Sequence, residues 1–318
     1  MPKKIAVIVW LYHTEIWPEL LSLLKPLNPY IKLYMCLCED HSVANKVVID
    51  DIQNSISDFS IKIYPNIGGD VSSFLHEISN IDPNEHPLFI KLHSKISILT
   101  KRYLADWRGM LFNDLIGSKE TLLSNINNFM TNPKCGMIAN TALLLKNYET
   151  SNHKKIKSLC NYLNIKYNKI SNKNFIAGTM FMSRTSLFKK YFNTESSSYL
   201  LSLVNREVAK VEDRIDGGTF CHSLERVFCY LVYYNKLWIY EARRKKQYKL
   251  ICNYSDKNKF HIIVLHNRKC YIRENPNLWG SVLNDTEDSL IIKWQDFISC
   301  SYQKYHKLNC QTIIQNKI

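Results

Sequence analysis

The stretch Lys4–Leu11, KIAVIVWL, decides the fold. After its first lysine it is apolar and rich in Ile and Val, which is typical of a strand buried on both faces of a parallel sheet. Similar runs predict strands over Ile31–Cys38, Ile61–Tyr64 and Leu88–Leu92. Helical segments alternate with these strands, the first over about Glu15–Leu24. The first ninety residues therefore predict a β-α-β-(α)-β-α-β unit, an α/β half with a parallel nucleotide-binding sheet.

The middle of the chain is predicted to be mainly helical. One helix carries Trp107 and the apolar residues that share its face, and a second begins after a Ser118 cap. A short strand over Gly136–Asn140 and a longer one over Phe175–Ser183 follow. Arg214–Thr219 then predicts a glycine-containing turn that leads into an apolar helix.

The pattern changes after about Lys246. Short strand-like pieces, a loop and a final amphipathic helix are predicted there, over Lys249–Cys252, His261–Leu265, the loop with Pro276 and Gly280, and about Asp288–Leu308. We therefore expect a main domain of residues 1–245 and a small C-terminal extension of residues 246–318 that ends in a helix.

The composition is that of a globular protein. Of 318 residues, 46% are hydrophobic and 22% charged, which excludes a disordered chain. No run reaches the roughly 18 apolar residues of a membrane helix, and the best, Val227–Asn235, ends at Lys236. The first residues lack the features of a signal peptide. The net charge of +14 favours anionic partners such as nucleotide-sugar phosphates, nucleic acid or a membrane face.

Ten cysteines are present, but they do not form a disulfide or zinc pattern. Cys36 and Cys38 lie on a predicted strand, Cys221 and Cys229 lie in a predicted helix, and no Cys-x-x-Cys pair occurs. We expect reduced thiols that fill the core of a cytosolic protein.

Ligands of parallel α/β sheets bind at the carboxyl ends of the strands. Here those ends carry Tyr12-His13, Glu39-Asp40, Asn66–Asp70 and His93-Ser94-Lys95. In the third of these, the glycines let the backbone approach a ligand, and the following helix offers free N–H groups to a phosphate. Asp70 is predicted to cap that helix. A tight turn with an aspartate cap and no ligand explains the same spacing.

Cationic side chains alternate along the fourth predicted strand. Lys91, His93 and Lys95 share one face of it, because successive side chains of a strand point to opposite faces. Since cations are not buried unpaired, this face requires an anion. Arg102 and Arg108 could contribute to the same pocket. A solvated edge strand is the alternative without a ligand.

A third candidate site is the turn and helix that begin near Asp216. A carboxylate at a helix N-terminus is kept ionised by the helix dipole, which suits a general base. His222, Glu225 and Arg226 follow at helical spacing and can reach one another. A capped helix with a surface ion pair is the alternative.

Taken in order, five short segments resemble the rhamnan synthesis protein F family of glycosyltransferases, over about residues 5–235. The matching segments are Pro65–Asp70, Lys91–Lys95, Trp107-Arg108 with Leu115–Ser118, Ala177–Phe181, and Asp216-Gly217 followed by Thr219 and His222–Arg226. Two departures occur: Gly69 stands where the family pattern has arginine, and Gly218 is an extra glycine.

The resemblance implies a GT-A-like nucleotide-sugar transferase in polysaccharide or O-antigen-type synthesis, with dTDP-rhamnose as the candidate donor. We expect an inverting single displacement in which Asp216 deprotonates the acceptor and Glu225 is the alternative base. The leaving diphosphate would face Lys91, His93 and Lys95. The other residues expected to contact substrate are Tyr12, His13, Asp40, Asn66, Gly68, Asp70, Trp107, Arg108, Gly178, Thr179, His222 and Arg226. Phe181 is expected to form a sugar-stacking wall with Trp107, unless either packs in the core.

Typical GT-A enzymes end the fourth strand in an Asp-x-Asp that holds a divalent metal. His93-Ser94-Lys95 occupies that position here, so we expect fixed cations to replace the metal, and no cofactor. Expected partners are a nucleotide-sugar donor and a glycan or lipid-linked glycan acceptor, without specific nucleic acid. We expect a cytoplasmic protein that could also associate peripherally with the anionic inner membrane face through Arg243–Lys246.

Two other function classes fit parts of the sequence. A non-catalytic protein could bind an anionic glycan or nucleic acid through its basic surface. A nucleotidyltransferase could use a similar sheet, but the metal-binding carboxylates that this chemistry normally requires are missing from the fourth strand.

Overall fold

The computed structural model describes residues 3–94, 107–140, 144–146, 152–171, 173–208, 218–241, 249–256, 259–266, 269–274 and 278–284. The strands are β1 Ile5–Leu11, β2 Ile31–Cys38, β3 Phe59–Tyr64, β4 Leu88–His93, β5 Cys135–Ala139, β6 Leu144–Lys146, β7 Asn174–Ile176, β8 Phe181–Arg184, β9 Trp238–Glu241, β10 Lys249–Asp256, β11 Lys259–His266, β12 Lys269–Glu274 and β13 Leu278–Asn284. The α-helices are α1 Trp17–Leu24, α2 Ser42–Ser55, α3 Gly69–Ile78, α4 Trp107–Ile116, α5 Lys119–Thr131, α6 His153–Tyr162, α7 Thr185–Tyr191, α8 Thr194–Val208 and α9 Phe220–Tyr234.

Seven strands form one mixed sheet in the order β3-β2-β1-β4-β8-β5-β9. The first four are parallel, and β1 pairs with β2 on one side and β4 on the other. Strand β8 runs antiparallel to both β4 and β5, whereas β9 is parallel to β5. The architecture is therefore α/β, and its parallel half is the β-α-β-α-β-α-β unit expected from the sequence.

The core lies on both faces of this sheet. All seven residues of β1 and all six of β4 are buried, as strands covered on both faces require. A cluster of phenylalanines fills the space between β4, β8 and the helices α3, α7 and α9, with ring centroids 5.0–6.2 Å apart. Its members are Phe74, Phe89, Phe181, Phe188, Phe192 and Phe228.

The order of elements agrees with the sequence predictions through the first half. Strand β2 has the predicted bounds, and β1, β3 and β4 differ from theirs by one or two residues. The Ser118 cap is confirmed, because its hydroxyl accepts a hydrogen bond from the Thr121 amide at 3.1 Å. Thr219 caps α9, because its side chain accepts a hydrogen bond from the His222 amide. The predicted turn that leads to it lies outside the described residues up to Gly217.

The single strand predicted over Phe175–Ser183 is wrong. The chain forms β7 and β8 separately, and the turn between them has positive φ at Gly178 (90°) and Thr179 (48°). This left-handed turn separates the two strands, so that β7 pairs with β6 while β8 enters the main sheet. An apolar run with one glycine does not reveal that division, because strand periodicity alone carries no signal for it.

The C-terminal extension contains more strand than predicted. Strands β10 to β13 pair in sequence order as a four-stranded antiparallel sheet. The predicted loop at Gly280 is wrong, because this residue lies inside β13. The predicted helix over Asp288–Leu308 lies outside the described residues.

Six cysteines have described side chains, and all six are free thiols, of which only Cys221 is not fully buried. Burial raises the pKa of Cys135 to about 11 and that of Cys160 to about 12, so both are protonated at neutral pH. This agrees with the predicted role of the thiols as core filler. Among the described helices, none is long and apolar enough to cross a membrane.

Candidate active site

The carboxyl ends of β1 and β4 are joined by one serine. The Ser94 hydroxyl accepts hydrogen bonds from the backbone amides of Tyr12 (2.9 Å) and His13 (2.8 Å), and the Ser94 amide donates to the Trp10 carbonyl at 2.9 Å. The Tyr12 ring also contacts the His41 ring edge to face, at 4.9 Å between centroids. The ends of β1, β2 and β4 therefore form one polar edge, as the parallel sheet predicts.

Helix α3 begins at this edge, although not as predicted. Its cap is Gly68, in the left-handed region at φ 71°, so the prediction of Asp70 as the cap is wrong. A side chain at Gly68 would not fit, because its Cβ would lie 2.2 Å from Ser72 Oγ and 2.4 Å from Val204 Cγ1. Asp70 lies instead in the first turn, where its side chain is free to bond across to β4.

The anion that the cationic face of β4 requires is Asp70. Lys91 is 1% exposed, and its Nζ lies 2.5 Å from Asp70 Oδ2. Burial by itself acts to raise the pKa of Asp70, but Lys91, His93 and the hydrogen bonds from Lys91 and Thr179 outweigh it and hold that pKa well below its usual range. The solvated edge strand is excluded, because β4 lies inside the sheet. Lys91 therefore already has a counterion within the protein.

The left-handed turn after β7 completes the cluster. The Thr179 hydroxyl donates to Asp70 Oδ2 at 2.7 Å, and His93 Nε2 donates to the Gly178 carbonyl at 2.7 Å. The Gly178 amide donates to Glu225 Oε1 at 2.9 Å. Six residues from four separate segments of the chain thus meet through direct hydrogen bonds near the carboxyl edge of the sheet.

Helix α9 presents Glu225 to this cluster, as the helical spacing indicates. The Glu225 side chain is 16% exposed, and its Oε2 lies 3.8 Å from Arg226 Nη1. Arg226 stacks on the Phe175 ring at 4.3 Å and donates to the His222 carbonyl at 2.6 Å. His222 is exposed, and its Nδ1 is 2.6 Å from Thr219 Oγ1. Glu225 is therefore a carboxylate partly open to solvent and fixed on one oxygen.

A partly buried ion pair that was not predicted anchors the start of α9. Glu207 of α8 accepts a hydrogen bond from the Phe220 amide, the first of α9, and it pairs with Lys155 of α6. Lys155 also donates to the Gly218 carbonyl. Because Lys155 is 52 positions from Glu207 and 63 from Gly218, only the tertiary structure shows that these residues fix the N-terminus of the helix that carries Glu225.

Several predicted site residues lie at the margin of the cluster. Asp40 and Asn66 are exposed in the segments that follow β2 and β3. Arg108 donates to Glu19 of α1 through Nε (3.0 Å) and Nη2 (2.7 Å), so its described partner is an internal carboxylate. Phe181 is buried in the phenylalanine cluster, so its expected sugar-stacking role is wrong. Trp107 is the first residue of α4.

Asp216, Lys95 and Arg102 lie outside the described residues, and so does the side chain of Trp107. The basic run Arg243–Lys246 does too. Their predicted roles stay predictions.

Two residues at this edge were missed by sequence reasoning. Trp10 Nε1 lies 3.8 Å from the position that a Cβ would take on Gly69, so the indole N–H is beside the N-terminus of α3. His41 contacts Tyr12, and its buried Nε2 has no hydrogen-bond partner in the part of the chain that the structure describes. Trp10 lies near the end of the first predicted strand, and His41 comes shortly after the second. A position near the carboxyl end of a parallel strand is the signal that could have identified them.

The residues at the end of β4 do not fit a divalent metal. Mg²⁺ and related ions prefer carboxylate oxygens, whereas His93-Ser94-Lys95 offers an imidazole, a hydroxyl already bonded to two amides, and an amine. In the described ranges, no group of three His, Cys, Asp or Glu side chains is placed to hold a metal ion.

The chain is an α/β protein with a polar cluster at the carboxyl ends of its parallel strands, where ligands of such sheets bind, and the architecture is consistent with a GT-A-like fold. The family model for Rhamnan synthesis protein F matches residues 1–237. The chain therefore belongs to this family, which has a glycosyltransferase-like role in rhamnan synthesis. No curated protein matches the chain.

Proposed function

We propose that the protein is a glycosyltransferase that moves a sugar from a nucleotide-sugar donor to a glycan or lipid-linked glycan acceptor. The observation that carries the proposal is the convergence of a partly exposed carboxylate, Glu225, with His93 and the N-terminus of α3 at the carboxyl edge of the sheet. Membership of the rhamnan synthesis family supports rhamnose as the transferred sugar, and dTDP-rhamnose is the donor to test first.

The proposed chemistry is an inverting single displacement. A carboxylate removes the proton of an acceptor hydroxyl, whose oxygen then forms a bond to the anomeric carbon. The bond from that carbon to the diphosphate oxygen breaks, and the nucleoside diphosphate leaves with its electron pair. Asp216 is the proposed base. Glu225 is the alternative, and its geometry is compatible with the role, since Oε1 is held by Gly178 while Oε2 lies 3.8 Å from Arg226 Nη1.

The leaving diphosphate would be held by donors rather than by a metal. The N-terminus of α3 supplies backbone N–H groups and partial positive charge, and the Trp10 indole N–H lies beside it. His93 and Lys95 remain proposed cations of this subsite. Because Lys91 is neutralised by Asp70, we propose that it acts through Asp70 and not by direct contact with phosphate.

The first experiment measures thermal stability with EDTA present, against dTDP, UDP, GDP and their sugars. A nucleotide at about 100 times its dissociation constant should stabilise the protein by about 2.7 kcal/mol. Selective stabilisation without metal supports the proposal and identifies the donor class. A shift that appears only with Mn²⁺ would overturn metal independence while leaving the transferase.

The second experiment assigns the base. Asp216→Asn should abolish transfer and leave donor binding unchanged, and Glu225→Gln is the parallel variant. Normal transfer by Asp216→Asn with loss in Glu225→Gln would move the role to Glu225. If neither nucleotide nor sugar binds, and binding of anionic polymers falls steeply with salt, the non-catalytic binding protein is the better interpretation.

A further inference from the structure

The turn after β7 has a backbone conformation that its sequence does not favour. Gly178 adopts φ 90° without penalty, but Thr179 follows at φ 48°. A β-branched residue in the left-handed region is a conformational outlier, because its side chain clashes with the backbone. Such outliers persist only where surrounding contacts over-determine them. The contacts of Thr179 therefore show what holds this turn.

One hydrogen bond from the side chain supplies that constraint. The Thr179 hydroxyl, in a residue only 6% exposed, donates to Asp70 Oδ2 at 2.7 Å. The same carboxylate oxygen is fixed by Lys91, 2.5 Å away on the rigid central strand β4. His93, two residues further along β4, donates to the Gly178 carbonyl. Both halves of the turn are thus attached to one strand.

The other side of the turn faces Glu225, the alternative catalytic carboxylate. The Gly178 amide donates to Glu225 Oε1 at 2.9 Å, and this bond depends on the direction in which the peptide points. A turn with ordinary negative φ would aim that amide elsewhere. The Glu225 carboxylate is therefore hydrogen-bonded to the turn that Asp70 and His93 hold through Thr179 and Gly178.

We propose that Asp70, Lys91 and Thr179 are positioning residues: the Asp70–Thr179 hydrogen bond holds the left-handed Gly178–Thr179 turn, and the turn fixes Glu225 for transfer. The effect on transfer rests on the proposed function with Glu225 as the base, whereas the effect on the turn does not. Asp70 and Thr179 then act through Glu225 and do not themselves bind the substrate, unlike the expectation from the sequence.

Three substitutions at one position test this. Thr179→Val keeps the shape but removes the hydroxyl, and it should lower kcat about 100-fold with little change in donor KM, as expected for a displaced catalytic group. Thr179→Ser restores the hydroxyl and should recover most of kcat. Thr179→Gly removes both the hydroxyl and the left-handed clash, so it should be thermally more stable than Thr179→Val while kcat stays low. If Thr179 had only a structural role, kcat would instead recover in Thr179→Gly together with thermal stability.

Thr185→Val is the matched control. Thr185 is also fully buried, and its Oγ1 has no hydrogen-bond partner within the described residues, so loss of its hydroxyl should leave kcat unchanged. Equal losses of kcat in Thr185→Val and Thr179→Val would overturn the proposal.

A measurement on the Gly178 amide separates this proposal from the proposed function. Hydrogen exchange at that amide should be at least about tenfold faster in Thr179→Val than in the wild type or Thr179→Ser, because the bond to Glu225 is lost. Unchanged exchange overturns the proposal even if transfer is observed. If exchange is faster in Thr179→Val but the wild type transfers no sugar from any donor, the positioning of Glu225 is supported and the glycosyltransferase is rejected. Faster exchange with unchanged kcat would show that the position of Glu225 does not matter for transfer and would overturn the proposal.

Discussion

At the scale of single residues, the ion pair between the buried Lys91 and Asp70 lies at the centre of the candidate site. Its lysine is almost completely excluded from solvent, while the aspartate side chain is 25% exposed. An ion pair of this kind is worth little compared with apolar packing, but removal of one partner leaves a buried charge without compensation. The two members therefore depend on each other far more than surface pairs do.

Asp70→Ala should accordingly lower the free energy of unfolding by about 3 kcal/mol or more. The matched control is Asp58→Ala, since Asp58 pairs with Lys4 at 3.0 Å but both side chains are a quarter to a third exposed. That loss should stay below about 1 kcal/mol. Urea denaturation of both variants measures the difference, and equal costs would show that Lys91 finds another partner.

The same pair predicts a pH dependence. Because the pKa of Asp70 is lower in the folded than in the unfolded protein, its contribution to stability is complete above the unfolded value and is lost as the pH falls below it. Between about pH 5 and pH 2, the unfolding free energy of the wild type should therefore fall more steeply than that of Asp70→Asn/Lys91→Met, by up to about 1.4 kcal/mol per pH unit. Parallel pH profiles from urea titrations would contradict this.

At the scale of elements, the start of α3 depends on two consecutive glycines with positive φ. The two differ in the space around them, since a Cβ on Gly68 would collide with Ser72 and Val204, while one on Gly69 would meet only Trp10 Nε1 at 3.8 Å. Substitutions at these two glycines therefore separate the free-energy cost of a left-handed backbone from that of a steric clash.

Gly69→Ala should lower the unfolding free energy by about 1 kcal/mol, which is the cost of a left-handed alanine. Gly68→Ala should cost about 3 kcal/mol, because overpacking adds to the same backbone penalty. Thermal or urea denaturation of the two variants gives the comparison. If the losses are equal, the neighbours of Gly68 move aside easily.

Elements with a clear local pattern could be predicted from the sequence, and those defined by distant pairing could not. The apolar runs of β1, β2 and β4 and the Ser118 cap are local signals, and the structure has them where predicted. The division of residues 174–184 into β7 and β8 depends on β6, β4 and β5, which lie elsewhere in the chain.

The same distinction holds for the candidate site. The strand ends identified the edge, and helical spacing identified Glu225. The partners could not be predicted, because Asp70 was expected to cap its own helix, and its bonds to Lys91 and Thr179 span 21 and 109 positions. The Glu207–Lys155 pair at the start of α9 likewise arises only from tertiary packing.

At the scale of the whole molecule, the net charge of +14 should act on anionic donors before they reach the site. Long-range attraction speeds the encounter of the donor with the protein, and salt screens it. The chemical step takes place between groups in contact within the cluster, so salt should affect it little.

An increase in salt from about 0.05 to about 0.5 M should therefore raise the KM for a nucleotide-sugar several-fold and leave kcat nearly unchanged. Initial rates over this range measure it, with a neutral osmolyte at equal osmolality as the control. A fall in kcat at constant KM would place the salt effect in the cluster itself.

The position of β8 between β4 and β5 has a consequence for biosynthesis. The parallel unit is complete once β4 has left the ribosome. The free edge of β4, however, stays unpaired until β8 has been synthesised about ninety residues later. During that interval the nascent chain exposes an unpaired and mostly apolar strand edge, which is a template for aggregation. Ribosome-bound chains that end before β8 should therefore recruit chaperones more strongly than chains that end after β9, and equal recruitment would show that β4 is protected by other means.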